Sequence, residues 1–321
     1  MPGHEEPYVD GEQSKQPITA RQYFYQDFCW EDLRDIVQPQ GMEDQPINLG
    51  GLCGGDHNVR AWDKFHQVHA KHDFFKERRY LVKEFPDLVT FDRALNVLEI
   101  GCGTGSTVLP ILRANKKAVM YACDCSDFVL RKACKSVGSA MTADEDGRFF
   151  PFVCDISSEK LPGWLCCSSC IDSSCHRPKY DFYPENGNQF HCVNGMDIVT
   201  MIFTLSAIPP QYMHHVVKEC FSVLKPGGSI LFRDYGLYDM TMQRFSARQK
   251  VGERLYQRCD GTYSYFFTPD VLSSLFKDAG FVEEENHFCC VELKNHQKQI
   301  AMKRVWIHAK FVKPDGPAAH T

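Results

Sequence analysis

The residues of this chain that are best suited to chemistry form a glycine-rich turn with an acidic residue just before it. Residues 97–107 read VLEIGCGTGST, an apolar run that reaches Glu99 before the turn begins. The glycines of the turn are Gly101, Gly103 and Gly105. Glycines let backbone N–H groups approach a ligand closely, and the start of the following helix favours an anionic group. The turn therefore predicts a binding site for a ligand with an anionic part.

Two features separate this turn from the glycine turn of dinucleotide-binding proteins. Where the dinucleotide pattern requires its third glycine, this chain has Ser106, and an acidic residue such as Glu99 is not part of that pattern. In S-adenosyl-L-methionine the anionic group would be the amino acid carboxylate, and Glu99 would lie near the cationic half. The turn therefore favours S-adenosyl-L-methionine as the cofactor, and a dinucleotide oxidoreductase is the disfavoured alternative.

Two aspartates end the next two apolar runs along the chain. Asp124 is placed to accept both ribose hydroxyls, while Asp155 is placed to bind the adenine amino group and Ile156 to pack on the ring. Either aspartate alone is more typical of a turn or a helix cap. Together with Glu99, however, they put carboxylates at three successive strand ends, which is where open α/β sheets bind ligands.

A parallel sheet is needed to bring these strand ends together, and the pattern of the chain predicts one. Short apolar runs lie at 96–100, 118–123, 150–154, 197–203 and 229–235. Helix-like stretches lie at 107–113, 126–137 and 211–224. This alternation predicts right-handed crossovers and a parallel sheet that is covered on both faces. The end of the chain predicts a helix over 269–279, then strands at 288–293 and 304–311 that form an antiparallel hairpin at the sheet edge.

We therefore predict an α/β fold with a doubly wound, mostly parallel seven-stranded sheet, and four regions along the chain. Residues 1–60 are polar and rich in Gly, Pro and Gln, which predicts a flexible arm with one docking helix. Residues 61–90 predict a helical N-terminal segment. We predict a cofactor-binding domain over 91–313 and a tail over 314–321. A polar, turn-rich insertion interrupts the domain at 161–195.

The insertion is rich in potential zinc ligands. They are Cys166, Cys167, Cys170, Cys175, His176 and Cys192. Cys167 and Cys170 have the two-residue gap of many zinc sites, but Cys175 and His176 are adjacent and Cys192 is distant. A loop with reduced thiols is the favoured interpretation, and a structural zinc clip is the alternative.

The overall composition excludes several classes of protein. No apolar stretch is long enough to cross a bilayer, and the acidic, mixed-charge N-terminus lacks the features of a signal or transit peptide. Sixteen cysteines spread over 321 residues without a signal favour reduced thiols. We therefore expect a cytosolic protein with access to the nucleus. The net charge of −5 weighs mildly against a nucleic-acid partner, although local basic patches decide such binding.

Longer segments resemble the tRNA 3-methylcytidine methyltransferase family, over most of 61–311 apart from the insertion. These segments are AWDKFHQVHAKHDFFKERRYL (61–81), VLEIGCGTGSTVLPIL (97–112), YACDCS (121–126), IFTLSAIPP (202–210), SVLKPGG (222–228), LFRDYGLYDMTMQRF (231–245), DGTYSYFF (260–267) and MKRVWIHAKF (302–311). The run LFRDYGLYDM followed by DGTxSYFF is far more specific than the glycine turn. The resemblance implies a class I, Rossmann-like methyltransferase that uses S-adenosyl-L-methionine. Its expected product is 3-methylcytidine at position 32 of a tRNA anticodon loop.

The resemblance also implies a set of cofactor-binding residues. Trp62, in a WDxF motif, would cover the cofactor from the N-terminal side. The complete predicted cofactor site is Trp62, His66, Glu99, Gly101, Gly103, Asp124, Asp155, Ile156 and Ile202.

The predicted catalytic residues are Arg233, Asp234 and Tyr235, which end the fifth strand. Neutral cytidine already has a lone pair on N3 that can attack a sulfonium methyl group. The enzyme must therefore supply alignment and a favourable electrostatic setting for the cationic product. Asp234 is the first candidate to balance that charge or to bind the amino edge of the base. The alternative is a structural carboxylate that pairs with Arg233 or a backbone turn.

Aromatic and basic residues complete the predicted substrate side. Phe203 and Tyr235 are candidates to stack on a flipped base, although an aromatic residue at a strand end is more often part of the core. The segment FFKERRY combines cations with aromatic rings, which suits phosphate contact and base stacking. The predicted RNA-contacting residues are Phe75, Lys76, Arg78, Arg79, Arg244, Arg258, Lys303 and Arg304. Taken alone, such basic stretches are more often a solvated surface.

Three departures from the family pattern bear on substrate preference and RNA affinity. His66 replaces the tyrosine of WDxFY, Tyr263 replaces the arginine of DGTR, and FFKERRY replaces FFKDRHW. Two alternative functions stay open. One is a methyltransferase of the same fold that acts on a small molecule or a protein, and the other is a tRNA-binding partner with little activity. Family members differ in their tRNAs, and some need a helper such as a seryl-tRNA synthetase.

Overall fold

The computed structural model describes residues 26–37, 55–69, 76–90, 93–141, 147–166, 193–295 and 300–315. Its strands are β1 Leu95–Ile100, β2 Ala118–Asp124, β3 Phe149–Val153, β4 Met196–Ile202, β5 Leu224–Tyr235, β6 Leu255–Gln257, β7 Tyr263–Tyr265, β8 Val282–Asn295 and β9 Ile300–Val312. Its α-helices are α1 Trp30–Val37, α2 Gly55–Val68, α3 Leu81–Glu84, α4 Val108–Ala114, α5 Asp127–Ala140, α6 Pro210–Val223, α7 Met240–Gln243 and α8 Pro269–Asp278.

The strands form one large sheet and one small one. The large sheet has seven strands in the order β3-β2-β1-β4-β5-β9-β8, and β6 pairs separately with β7. Strands β1 to β5 are parallel, while β9 and β8 add antiparallel at one edge. The predicted α/β fold, with its mostly parallel sheet and antiparallel edge hairpin, is confirmed. Because β1 pairs with both β2 and β4, the strand order reverses there, which leaves a crevice at the carboxyl ends.

The sheet is buried on both faces, as expected for parallel strands. Every residue of β4, which reads MDIVTMI, is buried. On one face α6 and α8 pack against the sheet through residues such as Val216 and Phe276. On the other face the core includes Phe85, which follows α3, together with Ile111 of α4 and Leu130 of α5. These two cores hold the strand ends in place and thereby shape the crevice.

The predicted elements are present, and most of their ends lie within a few residues of the prediction. The hairpin is the largest difference, since β8 and β9 extend well beyond the predicted 288–293 and 304–311. The added part of β8 begins VEEENH, a polar run that carries no apolar alternation of its own. It forms a strand because it pairs with β9, as in the register of His287 with His308.

The N-terminal region contributes two helices. In α1, Trp30 stacks on Phe288 with ring centroids 4.5 Å apart, and its indole N–H donates to the Leu237 carbonyl at 3.0 Å. The second helix, α2, begins at Gly55 and so runs through the predicted boundary at residue 60. The rest of the arm, Phe75 and most of the insertion lie outside the described residues, and so do all its potential zinc ligands except Cys166. Within the described ranges, no helix is long and apolar enough to span a membrane.

Candidate active site

A cavity of about 440 Å³ lies at the carboxyl ends of β1 to β5. Because of the strand order, Asp124 and Asp155 mark one end of the cavity, which we call the β2–β3 end. Phe203 and Tyr235 mark the other, which we call the β4–β5 end. The glycine turn lies between the two ends, and α2 adds a further wall.

The glycine turn requires glycine for both conformation and space. Gly101, Gly103 and Gly105 have φ angles of +66°, +53° and +81°, a region that other residues rarely adopt. A Cβ atom on Gly101 would lie 2.5 Å from Cγ2 of Thr204. The Thr204 hydroxyl donates to the Ile100 carbonyl at 2.9 Å and so ties the end of β4 to that of β1. The close approach of these two strand ends therefore excludes any larger residue at position 101.

Asp124 is held in the cavity wall by backbone donors. Its Oδ2 accepts from the Gly103 N–H at 2.9 Å, and its Oδ1 accepts from the Ser126 N–H at 3.1 Å. A carboxylate has about four lone-pair sites, so both oxygens retain capacity for ribose hydroxyls. Asp124 is thus a turn cap and a cavity residue at the same time, and the two interpretations of the sequence do not exclude each other.

Asp155 has a similar double position at the end of β3. Its carboxylate accepts from the Ser157 hydroxyl and the Ser158 hydroxyl, both at 2.6 Å, and it also lines the cavity. Ile156 is its neighbour in the wall, 7% exposed, and presents an apolar surface there. The pair offers the acidic and apolar groups that an adenine ring would contact.

Glu99 lies beside the glycine turn and is fully buried. No described residue donates a hydrogen bond of ordinary geometry to either of its carboxyl oxygens, although the Thr107 hydroxyl is close enough to act on its pKa. Burial raises the pKa of Glu99 to about 8, while the Arg78 charge and the Thr107 hydroxyl act to lower it. A buried polar group without a partner is costly, and an ammonium group would remove that cost. With Asp124, Asp155 and Ile156, this orphaned carboxyl fits the three parts of S-adenosyl-L-methionine.

Helix α2 forms one wall of the cavity and is attached to the rest of the domain at two points. The Asn58 amide donates to the Ala207 carbonyl at 3.2 Å, and Asp63 accepts from the Ser126 hydroxyl at 2.6 Å. Trp62 and His66, one helical turn apart, both line the cavity. Burial lowers the pKa of His66 below its usual value, although the nearby Asp124 and Asp63 oppose the shift. His66 therefore presents an uncharged ring to the cavity at neutral pH.

The β4–β5 end is built around two aromatic rings. Phe203 has φ of +56°, a conformation that costs energy for a bulky residue and is typical of functional sites. Its ring centroid lies 5.1 Å from that of Tyr235, and both rings line the cavity. Arg258 adds a cation here, and its guanidinium donates to the Tyr263 carbonyl at 3.1 Å. Ile202, also predicted for the cofactor, lines the cavity beside Phe203.

Asp234 lies behind this wall. It is fully buried, and its carboxylate accepts from the backbone N–H groups of Ser206 at 2.9 Å and Tyr235 at 2.8 Å. Burial raises the pKa of Asp234 to about 6. The structure thus gives Asp234 the contacts of a structural carboxylate on a backbone turn, and its direct contact with a base stays a prediction.

Arg233 lies outside the cavity lining. Its guanidinium forms an ion pair with Glu84 and lies over the Trp306 ring, 4.4 Å from the centroid, and over the Tyr80 ring at 5.1 Å. Arg233 is 4% exposed, and Asp234 is not its partner. The position ties β5 to α3 and β9, so a role for Arg233 in the reaction would be indirect.

The predicted RNA-contacting residues separate into three groups. Lys76, Arg79 and Arg244 are exposed. Arg304 pairs with the buried Asp239 at 2.9 Å, and Lys303 lies over the Phe28 ring. The remaining two described residues, Arg78 and Arg258, line the cavity.

Several residues that line the cavity were not predicted for a site, and three of them show how its walls are built. Asn58 and Thr204 hold walls together, and Asp260 lines the β4–β5 end. A sequence signal existed for Asn58, because it lies four residues before Trp62 and shares its helix face. The signal was missed because residues 1–60, which include Asn58, were predicted to be a flexible arm.

A doubly wound sheet whose carboxyl-end cavity fits this cofactor defines an S-adenosyl-L-methionine-dependent methyltransferase of class I. The sequence profile of a methyltransferase domain matches residues 69–285. Two solved structures share the fold at low identity. One is an S-adenosylmethionine-dependent methyltransferase from Anabaena variabilis (TM-score 0.54, 12% identity, 79% of this chain and 94% of that one). The other is the 1,6-didemethyltoxoflavin-N1-methyltransferase of Burkholderia thailandensis (TM-score 0.51, 12% identity, 86% and 99%).

Curated relatives are much more similar in sequence. The tRNA N(3)-cytidine methyltransferase METTL6 of Homo sapiens is 38% identical over 79% of this chain and 80% of its own. METTL2 of Xenopus tropicalis, with the same activity in its name, is 33% identical over 79% and 77%. O-methyltransferase 3 of Dictyostelium discoideum is 37% identical over 73% of this chain but 47% of its own. The chain belongs to the tRNA N(3)-cytidine methyltransferase family, which confirms the resemblance seen in the sequence.

Proposed function

We propose that this protein methylates N3 of a cytidine in tRNA, at position 32 of the anticodon loop. The observation that carries the proposal is the continuity of the cavity. Its β2–β3 end fits the cofactor, and the same space extends to the aromatic β4–β5 end, where Phe203, Tyr235 and Arg258 meet. An unstacked base needs a ring platform and polar groups at its edge, and this end offers both.

Methyl transfer to N3 of a neutral cytidine does not require the protein to remove a proton from that nitrogen. The bound cofactor supplies a methyl group on a sulfonium centre, and N3 of neutral cytidine carries the lone pair that accepts it. Phe203 and Tyr235 would hold the base in line. Asp234, with a pKa of about 6, is mainly ionised at neutral pH and provides a fixed negative charge behind the wall. Such a preorganised charge stabilises a product that becomes cationic.

Exposed cations support a nucleic-acid substrate. Lys76 and Arg79 lie just after the part of the chain that leaves α2, and Arg244 follows α7. Positive groups at these positions would contact phosphates and orient the loop toward the cavity. We include a helper protein, such as a seryl-tRNA synthetase, as part of the proposal for tRNA selection.

The test uses the full chain with S-adenosyl-L-methionine and unmodified tRNA, with and without seryl-tRNA synthetase. The RNA is digested and 3-methylcytidine is quantified by mass spectrometry. A tRNA whose residue 32 is changed to uridine is the substrate control, and Asp124→Ala is the cofactor-site control. We expect product in the reaction with the unmodified tRNA that retains cytidine 32, and none in either control.

Two outcomes would overturn the proposal. Cofactor binding without 3-methylcytidine in any reaction would favour a tRNA-binding partner. Methylation of a hydroxyl acceptor in a metabolite extract, with tRNA unmodified, would favour a small-molecule enzyme, in keeping with the name of the Dictyostelium relative.

A further inference from the structure

Arg78 belongs to the segment expected to face RNA, yet its side chain lines the cavity. Its backbone N–H donates to the Ser106 carbonyl at 2.8 Å, and its Nη1 donates to the Thr107 hydroxyl at 3.2 Å. Its guanidinium lies over the Phe203 ring, 5.5 Å from the centroid. Arg78 is therefore held against the glycine turn on one side and an aromatic ring on the other.

The charge of Arg78 acts on two buried carboxyls. It acts to lower the pKa of Glu99 and that of Asp234, against the larger raising effect of burial. Of the two arginines that line the cavity within the described residues, Arg258 is engaged at the far end with Tyr263. Arg78 is consequently the arginine at the glycine turn.

The turn itself has few free donors for an anion. The Gly103 N–H donates to Asp124, the Gly105 N–H donates to the Cys102 carbonyl at 3.0 Å, and the Cys102 N–H donates to the Cys123 carbonyl at 3.0 Å. Helix α4 begins only at Val108, beyond the turn. These three backbone donors are thus used within the protein, and a side chain at the turn would add donors for an anionic group.

We propose that Arg78 is a cofactor-binding residue that holds the carboxylate of the amino acid part of S-adenosyl-L-methionine. A planar guanidinium matches a carboxylate with two parallel hydrogen bonds. The neighbouring Glu99 carboxyl then matches the ammonium group of the same amino acid. The two residues form a complementary pair for a zwitterion, at the junction between the β2–β3 end and the β4–β5 end. This inference rests on the cofactor and is independent of the methyl acceptor.

The test compares ligands that differ in one group, with no RNA present. S-adenosylhomocysteine carries both charged groups, its decarboxylated analogue keeps only the amine, and 5′-methylthioadenosine has neither. Their affinities for the full chain are measured by titration calorimetry. In Arg78→Gln we expect S-adenosylhomocysteine to bind roughly 10- to 100-fold more weakly, the range for hydrogen bonds between charged groups. The decarboxylated analogue should bind Arg78→Gln as it binds the wild type.

Matched variants separate this role from others. Arg79→Gln removes the adjacent arginine, which is exposed and paired with Glu77, and should leave all three affinities unchanged. Arg78→Lys keeps the charge but loses the planar guanidinium group, so it should weaken the binding of S-adenosylhomocysteine by a smaller factor. This variant provides the test if Arg78→Gln fails to fold. Glu99→Gln should weaken both amine-containing ligands but not 5′-methylthioadenosine.

Two results would refute the assignment. An equal loss of affinity for all three ligands in Arg78→Gln would indicate a structural role. Unchanged S-adenosylhomocysteine binding in Arg78→Gln, together with weaker tRNA binding in a separate filter assay, would instead support the RNA-contacting role that the sequence predicts for Arg78. Neither result would bear on whether tRNA is methylated.

Discussion

Two buried glutamates in this protein lie near arginines, but only one of them is paired with its arginine. Glu84 and Glu99 are 1% and 0% exposed. The Oε1 of Glu84 pairs with Arg233 and lies 3.0 Å from Nδ1 of His308, while its Oε2 has no hydrogen-bond partner among the described residues. Glu99 has no hydrogen-bond partner among the described residues, although the Arg78 charge acts on it. The comparison teaches that an ion pair completed within the protein holds elements together, whereas an incomplete one is suited to a ligand.

The physical basis is the cost of burying charge. A buried carboxylate is tolerated when it is paired and hydrogen-bonded, and it otherwise takes up a proton. Glu84 joins α3 to β5 and β9 through its partners. Glu99 responds in the second way, and burial raises its pKa to about 8. A cofactor ammonium group would supply the partner that the fold leaves out.

The largest expected effect comes from breaking the completed pair. Glu84→Gln leaves the buried Arg233 without its counter-charge, which should lower the free energy of unfolding by about 3–5 kcal/mol. Urea unfolding monitored by circular dichroism measures the change. The affinity of the folded variant for S-adenosylhomocysteine should stay within about twofold of the wild type. A Glu84→Gln protein that is stable but unable to bind the cofactor would break the comparison.

The second effect concerns the incomplete pair. Glu99→Gln removes the carboxylate that we assign to the ammonium group, so S-adenosylhomocysteine should bind roughly 10- to 100-fold more weakly. The free variant should be at least as stable as the wild type. The raised pKa of Glu99 means that wild-type stability from this group falls as pH rises from about 4.5 toward about 8. Glutamine does not titrate, so at pH 8 the free energy of unfolding of Glu99→Gln should be at least as large as that of the wild type. A large loss of stability in the variant at this pH would contradict the assignment.

A smaller effect is expected when Arg233 keeps its charge but loses its shape. Arg233→Lys cannot stack between Tyr80 and Trp306 as a planar group, and it should cost about 1–2 kcal/mol in the free energy of unfolding. Thermal unfolding measures the loss, and methyl transfer at saturating substrates should be nearly unchanged at a temperature where the variant is folded. A fall in kcat without a fall in stability would instead place Arg233 in the reaction.

The smallest effect is the pH dependence of cofactor binding. Glu99 is protonated below pH 8 in the free protein and ionised beside an ammonium group, so binding should release a proton and tighten as pH rises. Between pH 7 and pH 8 the gain should be about fivefold in affinity. Calorimetry in two buffers of different ionisation enthalpy counts the protons. Glu99→Gln should abolish the release, and the same release in that variant would assign it to another group.

The sequence allowed much of the cofactor end to be predicted, because its residues follow local rules. Asp124 and Asp155 follow apolar runs, and parallel strands bring their carboxyl ends to one edge of the sheet. Gly101 lies in the turn directly after β1, where its backbone has a positive φ. The parallel arrangement of β1 to β5 follows from the alternation of strands and helices. These features depend on residues close together in the chain.

The tertiary structure decided the partners of the charged residues. The structural alternative for Asp234 was a pair with Arg233 or a backbone turn, and the structure shows the backbone contacts. The contact of Asp234 with a base stays a prediction. The partner of Arg233 is Glu84, 149 positions away in the chain. Arg78 similarly lies in the cavity wall, within a segment whose composition suggested a surface. Contacts between distant residues have no local sequence pattern. Many charged residues could form each pair, and the packing of helices and strands determines which of them come into contact. The chain by itself therefore determined the fold and predicted a cofactor site at the strand ends, while only the folded structure decided which buried carboxyls find a partner within the protein.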